Sequence, residues 1–270
     1  MLTEPLKRTA EYKRLLADVT EGPGVTALFG LPPAARAQVL TALCRDTGRP
    51  ALLLCAGEAE ATRMAADVSA FGLPAEVFCA RDFVLRPVEG LNHEYEYRRL
   101  SVLGNVVGGR TRVVCAGVEG FLQLTMPRDE FCENTLTVRP GMEIGLAQLT
   151  ARLFGAGYLR RSQVDGPGQF SVRGGIVDLY APDMEKPCRL EFWGDEVDTI
   201  HTFDLVSQRR EDPVEKIHLS PAREVLFGDA AGAAALLRQA AGRAKGRAAR
   251  QLEAAMEDDL ALLEDELGDE

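Results

Sequence analysis

"GQFSVRGGIVDLYAPDMEKPCRLEFWGDEVDTIHTFDLVSQRR", residues 168–210, reads as short alternating segments separated by turn residues. Such alternation is the mark of strands with one buried face. Gly194-Asp195 has the look of a hairpin turn, and Glu191, Glu196 and Asp198 sit at alternating positions of a half-exposed sheet. The same texture runs from Tyr158 to about Leu219. Just before it, "TLTVRPG" (135–141) predicts a strand and turn, and "EIGLAQLTARLFGAG" (143–157) a helix closed by glycine. These residues predict an α+β unit with an antiparallel sheet.

Towards the N-terminus the pattern changes. Val25–Phe29, Ala51–Cys55, Glu76–Cys79 and Arg112–Cys115 are apolar runs of strand length, separated by helical patterns such as "EAEATRMAADVSAF" and "YRRLSVLGNVV". That order predicts buried parallel strands with crossover helices. Beyond Pro221, residues 230–267 are Ala/Leu-rich and almost unbroken, which predicts a long helix. Its basic residues (Arg238, Arg243, Lys245, Arg247, Arg250) come first and its acidic block last, against the dipole preference. It stops at "DELGDE" with no following strand, which is the pattern expected either of a chain cut at that point or of a helix whose packing partner lies beyond residue 270.

The net charge of −10 is unevenly spread: residues 251–270 hold nine acidic and no basic residues, leaving 31 basic against 32 acidic in residues 1–250. No basic footprint for nucleic acid results. There is no signal peptide and no apolar run of about 18 residues, so a soluble, cytoplasmic protein without membrane association is expected. The six cysteines are far apart without a CxxC pair, and His93, His201 and His218 have no telling neighbours. No metal, cofactor or catalytic constellation is expected.

Residues 26–44, "TALFGLPPAARAQVLTALC", have the frame of a phosphate loop: an apolar run, Gly30, a four-residue spacer, then Ala35, Arg36 and Ala37. A working loop places glycine, lysine and a hydroxyl residue at those three positions. Here Pro32 and Pro33 also remove two N–H donors. The loop is degenerate, and ATP binding is not expected.

The 168–210 stretch resembles the second domain of the bacterial excision-repair helicase UvrB and of the transcription-repair-coupling factors (Mfd). The resemblance rests first on Phe170, Arg173, Gly174, Asp178, Leu179 and Tyr180. It continues through Arg189, Glu191, Phe192, Gly194, Asp195, Glu196, Asp198, Ile200, Phe203, Asp204, Gln208 and Arg209. "LLLCAGEAEATRMAADV", "RVVCAGVEGFLQL" and the helix after "LSPAREVLF" extend it over essentially the whole chain. Three features place it nearer the N-terminal UvrB-homology module of the coupling factors than UvrB itself. The nucleotide loop is lost, the "SQR" close follows the "FD", and residues 83–97, "FVLRPVEGLNHEYEY", are too short for a damage-probing hairpin and keep only Tyr95 and Tyr97.

The resemblance implies an α/β fold: a degenerate RecA-like parallel-sheet domain of the UvrB domain 1 type, an inserted α+β antiparallel-sheet domain of the UvrB domain 2 type, and a long C-terminal helix. The expected boundaries are 1–125, 126–220 for the UvrA-interaction domain, and 221–270 for a returning segment of the first domain. It implies a non-catalytic docking module for UvrA in transcription-coupled repair, with Arg160, Arg161, Phe170 and Arg173 as partner-binding residues. Where UvrB often has a further basic residue, this chain has Ser171. The C-terminal regions of the parent chain are a second candidate partner. RNA polymerase binding and the ATP-driven DNA translocase would belong to parts of the parent outside these residues. The alternative is a fragment of a nucleotide-dependent UvrB-like helicase; a DNA-binding module is a third class. Ala35, Arg36 and Ala37 speak against the former and the near-zero charge of residues 1–250 against the latter.

Overall fold

The computed structural model describes residues 3–22, 24–81 and 93–226, together with Ala235 and Gln239, both helical. Contacts divide the chain into two units, Met1–Arg81 with Tyr95–Arg128, and Asp82–Glu94 with Asp129–Glu270. The fold is mixed α/β, with a parallel sheet in the first unit and antiparallel sheets in the second. The expected long helix over 230–267 lies outside the described residues except for Ala235 and Gln239, and the stretch 83–97 is described only from His93.

The first unit opens with α1 (Glu4–Lys7), α2 (Ala10–Glu21) and α3 (Pro33–Thr47). The Thr9 hydroxyl caps α2 by accepting from Tyr12 N at 3.2 Å. Next come β1 (Ala51–Cys55), α4 (Glu58–Ala70), β2 (Ala75–Phe78), α5 (Glu94–Val107), β3 (Val113–Gly117) and α6 (Val118–Leu122). The strands are parallel in the order β1-β3-β2. Ala61, Met64, Ala65 and Val68 of α4 pack with Val113 and Cys115 in the core.

Two expectations for this unit are corrected. Residues 25–29 form no strand, and Val25 and Phe29 are exposed. An apolar run becomes a strand only where a neighbour takes its N–H and C=O groups, and no described strand pairs with this one. The parallel sheet is also less buried than expected on one face: Leu52 and Leu54 of β1 are about half exposed, and Leu52 borders an apolar hollow of about 620 Å³ with Val102, Val106 and Phe121.

The second unit runs α7 (Arg128–Glu133), β4 (Leu136–Val138), α8 (Leu146–Gly155), β5 (Leu159–Arg160), β6 (Gln169–Arg173), β7 (Ile176–Tyr180), β8 (Cys188–Trp193), β9 (Glu196–Phe203), β10 (Arg210–Pro213) and β11 (Ile217–Leu219). β10-β9-β8-β7-β6-β5 make one six-stranded sheet, antiparallel except for the β5/β6 pair, and β4 pairs separately with β11. Helix α8 ends in a Schellman motif: Tyr158 N bonds Leu153 O, Gly157 N bonds Phe154 O, and Gly157 takes φ 83°. Leu149 and Leu153 of α8 share a core with Phe170, Val177, Leu179, Leu190 and Ile200.

Five of the cysteines are buried, and Cys132 is exposed. Burial pushes the Cys115 thiol up to about 12 and the Cys188 thiol to about 11, so these two behave as apolar packing residues.

Candidate partner-docking face

Period-2 alternation divides the six-stranded sheet into an inner and an outer face. Phe170 points inward, fully buried, with its ring edge-on to Phe154 at 5.1 Å. A residue with no accessible surface cannot touch a partner, so the expectation of Phe170 as a surface contact is corrected: it holds the sheet against α8. Ser171 and Arg173 lie on the opposite face.

The register assembles that outer face. Ser171 pairs with Asp178, Asp178 with Arg189, and Arg189 with His201. Asp178 is fully buried, and a buried carboxylate survives as an anion only when its lone pairs are taken. Arg189 takes two of them in a fork, Nε to Oδ1 at 2.6 Å and Nη2 to Oδ2 at 2.9 Å. Arg173 Nη2 donates to Oδ2 as well. The Asp178 bond pushes the Arg189 pKa further up.

Arg189 is held in turn by the segment after β9. Its guanidinium lies 4.9 Å from the Phe203 ring, and its Nη1 donates to Gln208 O at 3.3 Å. Gln208 adopts φ 58° to present that carbonyl. Asp204 sets the turn, accepting from Ser207 N at 2.8 Å and Ser207 Oγ at 2.7 Å. Asp178, Arg189, Phe203, Asp204 and Gln208 therefore form one network behind Arg173.

Arg173 is the outward end of the network. Its side chain is 50% exposed, and only Nη2 is engaged. Arg160 and Arg161 are exposed at the β5 edge, without an ion pair among the described residues. Arg160 pairs in register with Phe170, so alternation puts it on the inner side. Arg161 continues the ladder through its N–H to Phe170 O at 2.8 Å and falls on the side of Ser171 and Arg173. Ser171 itself is buried and offers no surface.

The degenerate loop has a different geometry. Gly30 turns with φ 76°, Pro32 is the N-cap of α3, and Pro33 is its first residue. Arg36 folds back to donate from Nε to Leu31 O at 3.2 Å, with Nη1 at 3.6 Å from Glu60. Ala35 is half-buried and Ala37 fully buried. Among the described residues, no group of His, Cys, Asp and Glu could hold a metal, and no helix is long and apolar enough to cross a membrane.

Residues 136–225 match the family model of the UvrB interaction domain. That match begins at the first residue of β4 and runs past β11, taking in the whole outer face. The transcription-repair-coupling factor of Bacillus subtilis (strain 168) is 27% identical over 224 residues, 82% of this chain and 19% of that protein. The coupling factor of Myxococcus xanthus is 31% identical over 214 residues, 74% of this chain and 17% of that protein. That of Staphylococcus aureus (strain USA300) is 25% identical over 208 residues, 76% and 18%. The matches fit an N-terminal module of a transcription-repair-coupling factor. The chain spans less than a fifth of the length of these relatives.

Proposed function

We propose that this chain is a non-catalytic docking module of a transcription-repair-coupling factor, recruiting UvrA to stalled RNA polymerase in transcription-coupled nucleotide-excision repair. The observation that carries the reading is the coincidence of the UvrB interaction domain match with a sheet face from which a half-exposed arginine projects. A guanidinium with unengaged donors suits bidentate contact with a partner carboxylate. Arg173 is the central contact, Arg161 extends the cationic surface on the same side, and Arg160 flanks the edge.

The test is titration calorimetry of the 270-residue chain with purified UvrA, with and without nucleotide. Saturable binding is expected, weakening as salt rises. Arg173→Ala should weaken it by about 1–3 kcal/mol, and Arg173→Glu by more, because repulsion adds to the lost attraction. Absence of binding by the unaltered chain would overturn the reading.

A further inference from the structure

Trp193 is the chain's sole tryptophan and is 84% exposed. A large aromatic left in water contributes nothing to the core, so its place on the sheet needs another account. It ends β8, one residue before the turn at Gly194, whose φ of 61° is the positive value a type II′ hairpin needs at its first central position.

The register locates it on the face of Arg173. Arg173, Ile176, Glu191 and Thr199 form one cross-strand row; the register shift after Glu191 puts its extra residue, Asp198, on β9, so β8 keeps its alternation and Trp193, two residues beyond Glu191, stays on the same face. Strand spacing puts it on the order of 12 Å from Arg173. Half-buried Ile176 of β7 lies between their strands, and Glu191, ion-paired at 3.1 Å with Arg210 on the side away from Arg173, is the neighbour of Trp193 on β8. Asp195, Glu196 and Asp198 make the far side of Trp193 acidic and exposed.

The backbone beneath it is braced. Phe192 N donates to Gly175 O at 2.8 Å, Ile144 N to Asp195 O at 2.8 Å, and Val197 N to Met142 O at 3.0 Å. Binding therefore orders few groups that were not already ordered, which is where an anchoring side chain gains most. Tryptophan and arginine are the residues that most often dominate an interface.

We infer that Trp193 is the apolar anchor of the docking face, resting on the reading that this face docks UvrA. The partner surface it fits has an apolar cleft for the indole, a carboxylate on the Arg173 side, and a cation towards the acidic hairpin tip.

The experiment uses the 270-residue chain labelled with 5-fluorotryptophan, which reports on this residue alone. On adding UvrA, the fluorine resonance should shift and lose its solvent isotope effect. Trp193→Ala should weaken binding about thirtyfold or more with an unchanged melting temperature, and Trp193→Phe should restore part of the loss. If Trp193→Ala binds like the parent and the resonance stays solvent-exposed while Arg173→Glu abolishes binding, the anchor is overturned and the docking reading stands. If the unaltered chain does not bind UvrA, both fall.

Discussion

At the residue scale, Asp178 is the point on which the outer face turns, because it is a buried anion with two cationic partners of unequal standing. Arg189 grips it in a fork and is itself largely covered, whereas Arg173 makes one bond and is half in water. Removing the carboxylate would leave Arg189 desolvated and unpaired. Asp178→Ala should therefore cost about 3–5 kcal/mol. Arg173→Ala leaves the fork intact and should cost about 1 kcal/mol, since exposure screens the bond it removes. Urea denaturation of the two variants checks this ordering; equal losses would mean that Arg173 belongs to the fold as much as Arg189 does. The difference also makes Arg173→Ala a usable probe of docking.

At the scale of elements, the close of α8 is held by one glycine. A Cβ on Gly157 would lie 2.6 Å from Arg223 Cγ and 2.9 Å from its Cβ, and φ 83° is strained for any other residue. Gly157→Ala should destabilise the second unit by about 2 kcal/mol, readable as a lowered midpoint in a thermal melt. In the first unit, Asp46 of α3 ties in two other helices, accepting from Lys7 of α1 and, at 2.8 Å, from Tyr12 Oη of α2. Burial pushes the Asp46 carboxyl up, but the Lys7 and Tyr12 hydrogen bonds outweigh it and hold the group below its ordinary value. A carboxylate lowered on folding stabilises above its unfolded pKa and loses that contribution as pH falls through the folded value. Asp46→Asn should thus cost about 1 kcal/mol at neutral pH, a gap that narrows as pH falls through the lowered folded-state value of Asp46. A denaturation series across pH tests this; a gap that persists in acid would assign the role to shape rather than charge.

At the scale of the whole molecule, each unit has its own core, one built on α4 and the parallel strands and the other on α8 and the antiparallel sheet. In the first, where the sequence has the frame of a phosphate loop, Arg36 is turned onto Leu31 and Glu60, and two prolines stand where N–H donors would cradle a phosphate. Calorimetry with ATP and Mg²⁺ is expected to show no saturable heat. A micromolar dissociation constant would mean that the loop rearranges around nucleotide, and the helicase reading would return.

Local pattern was enough for much of the fold. Period-2 alternation over 168–210 identified the antiparallel sheet, Gly194 its hairpin, and Gly157 the helix end; the run Ala51–Cys55 became β1 with those bounds. The same alternation places Phe170 and Arg173, three residues apart, on opposite faces, so the inward turn of Phe170 was legible even though the resemblance had grouped the two. Other features were not legible. Val25–Phe29 carries the composition of a strand and is none, because a strand requires a neighbour that composition cannot supply. Leu52 and Leu54 read as buried and are half exposed, because burial depends on what packs against a face. Asp178 and Arg189, eleven residues apart, meet through the register of β7 on β8, as does the shared face of Arg173 and Trp193. The amino-acid order by itself determined dihedral preference, periodicity and charge, which are properties of neighbours along the chain. Register and burial join residues distant along it, so only the tertiary structure decided which arginine holds the buried acid and which is left facing outward.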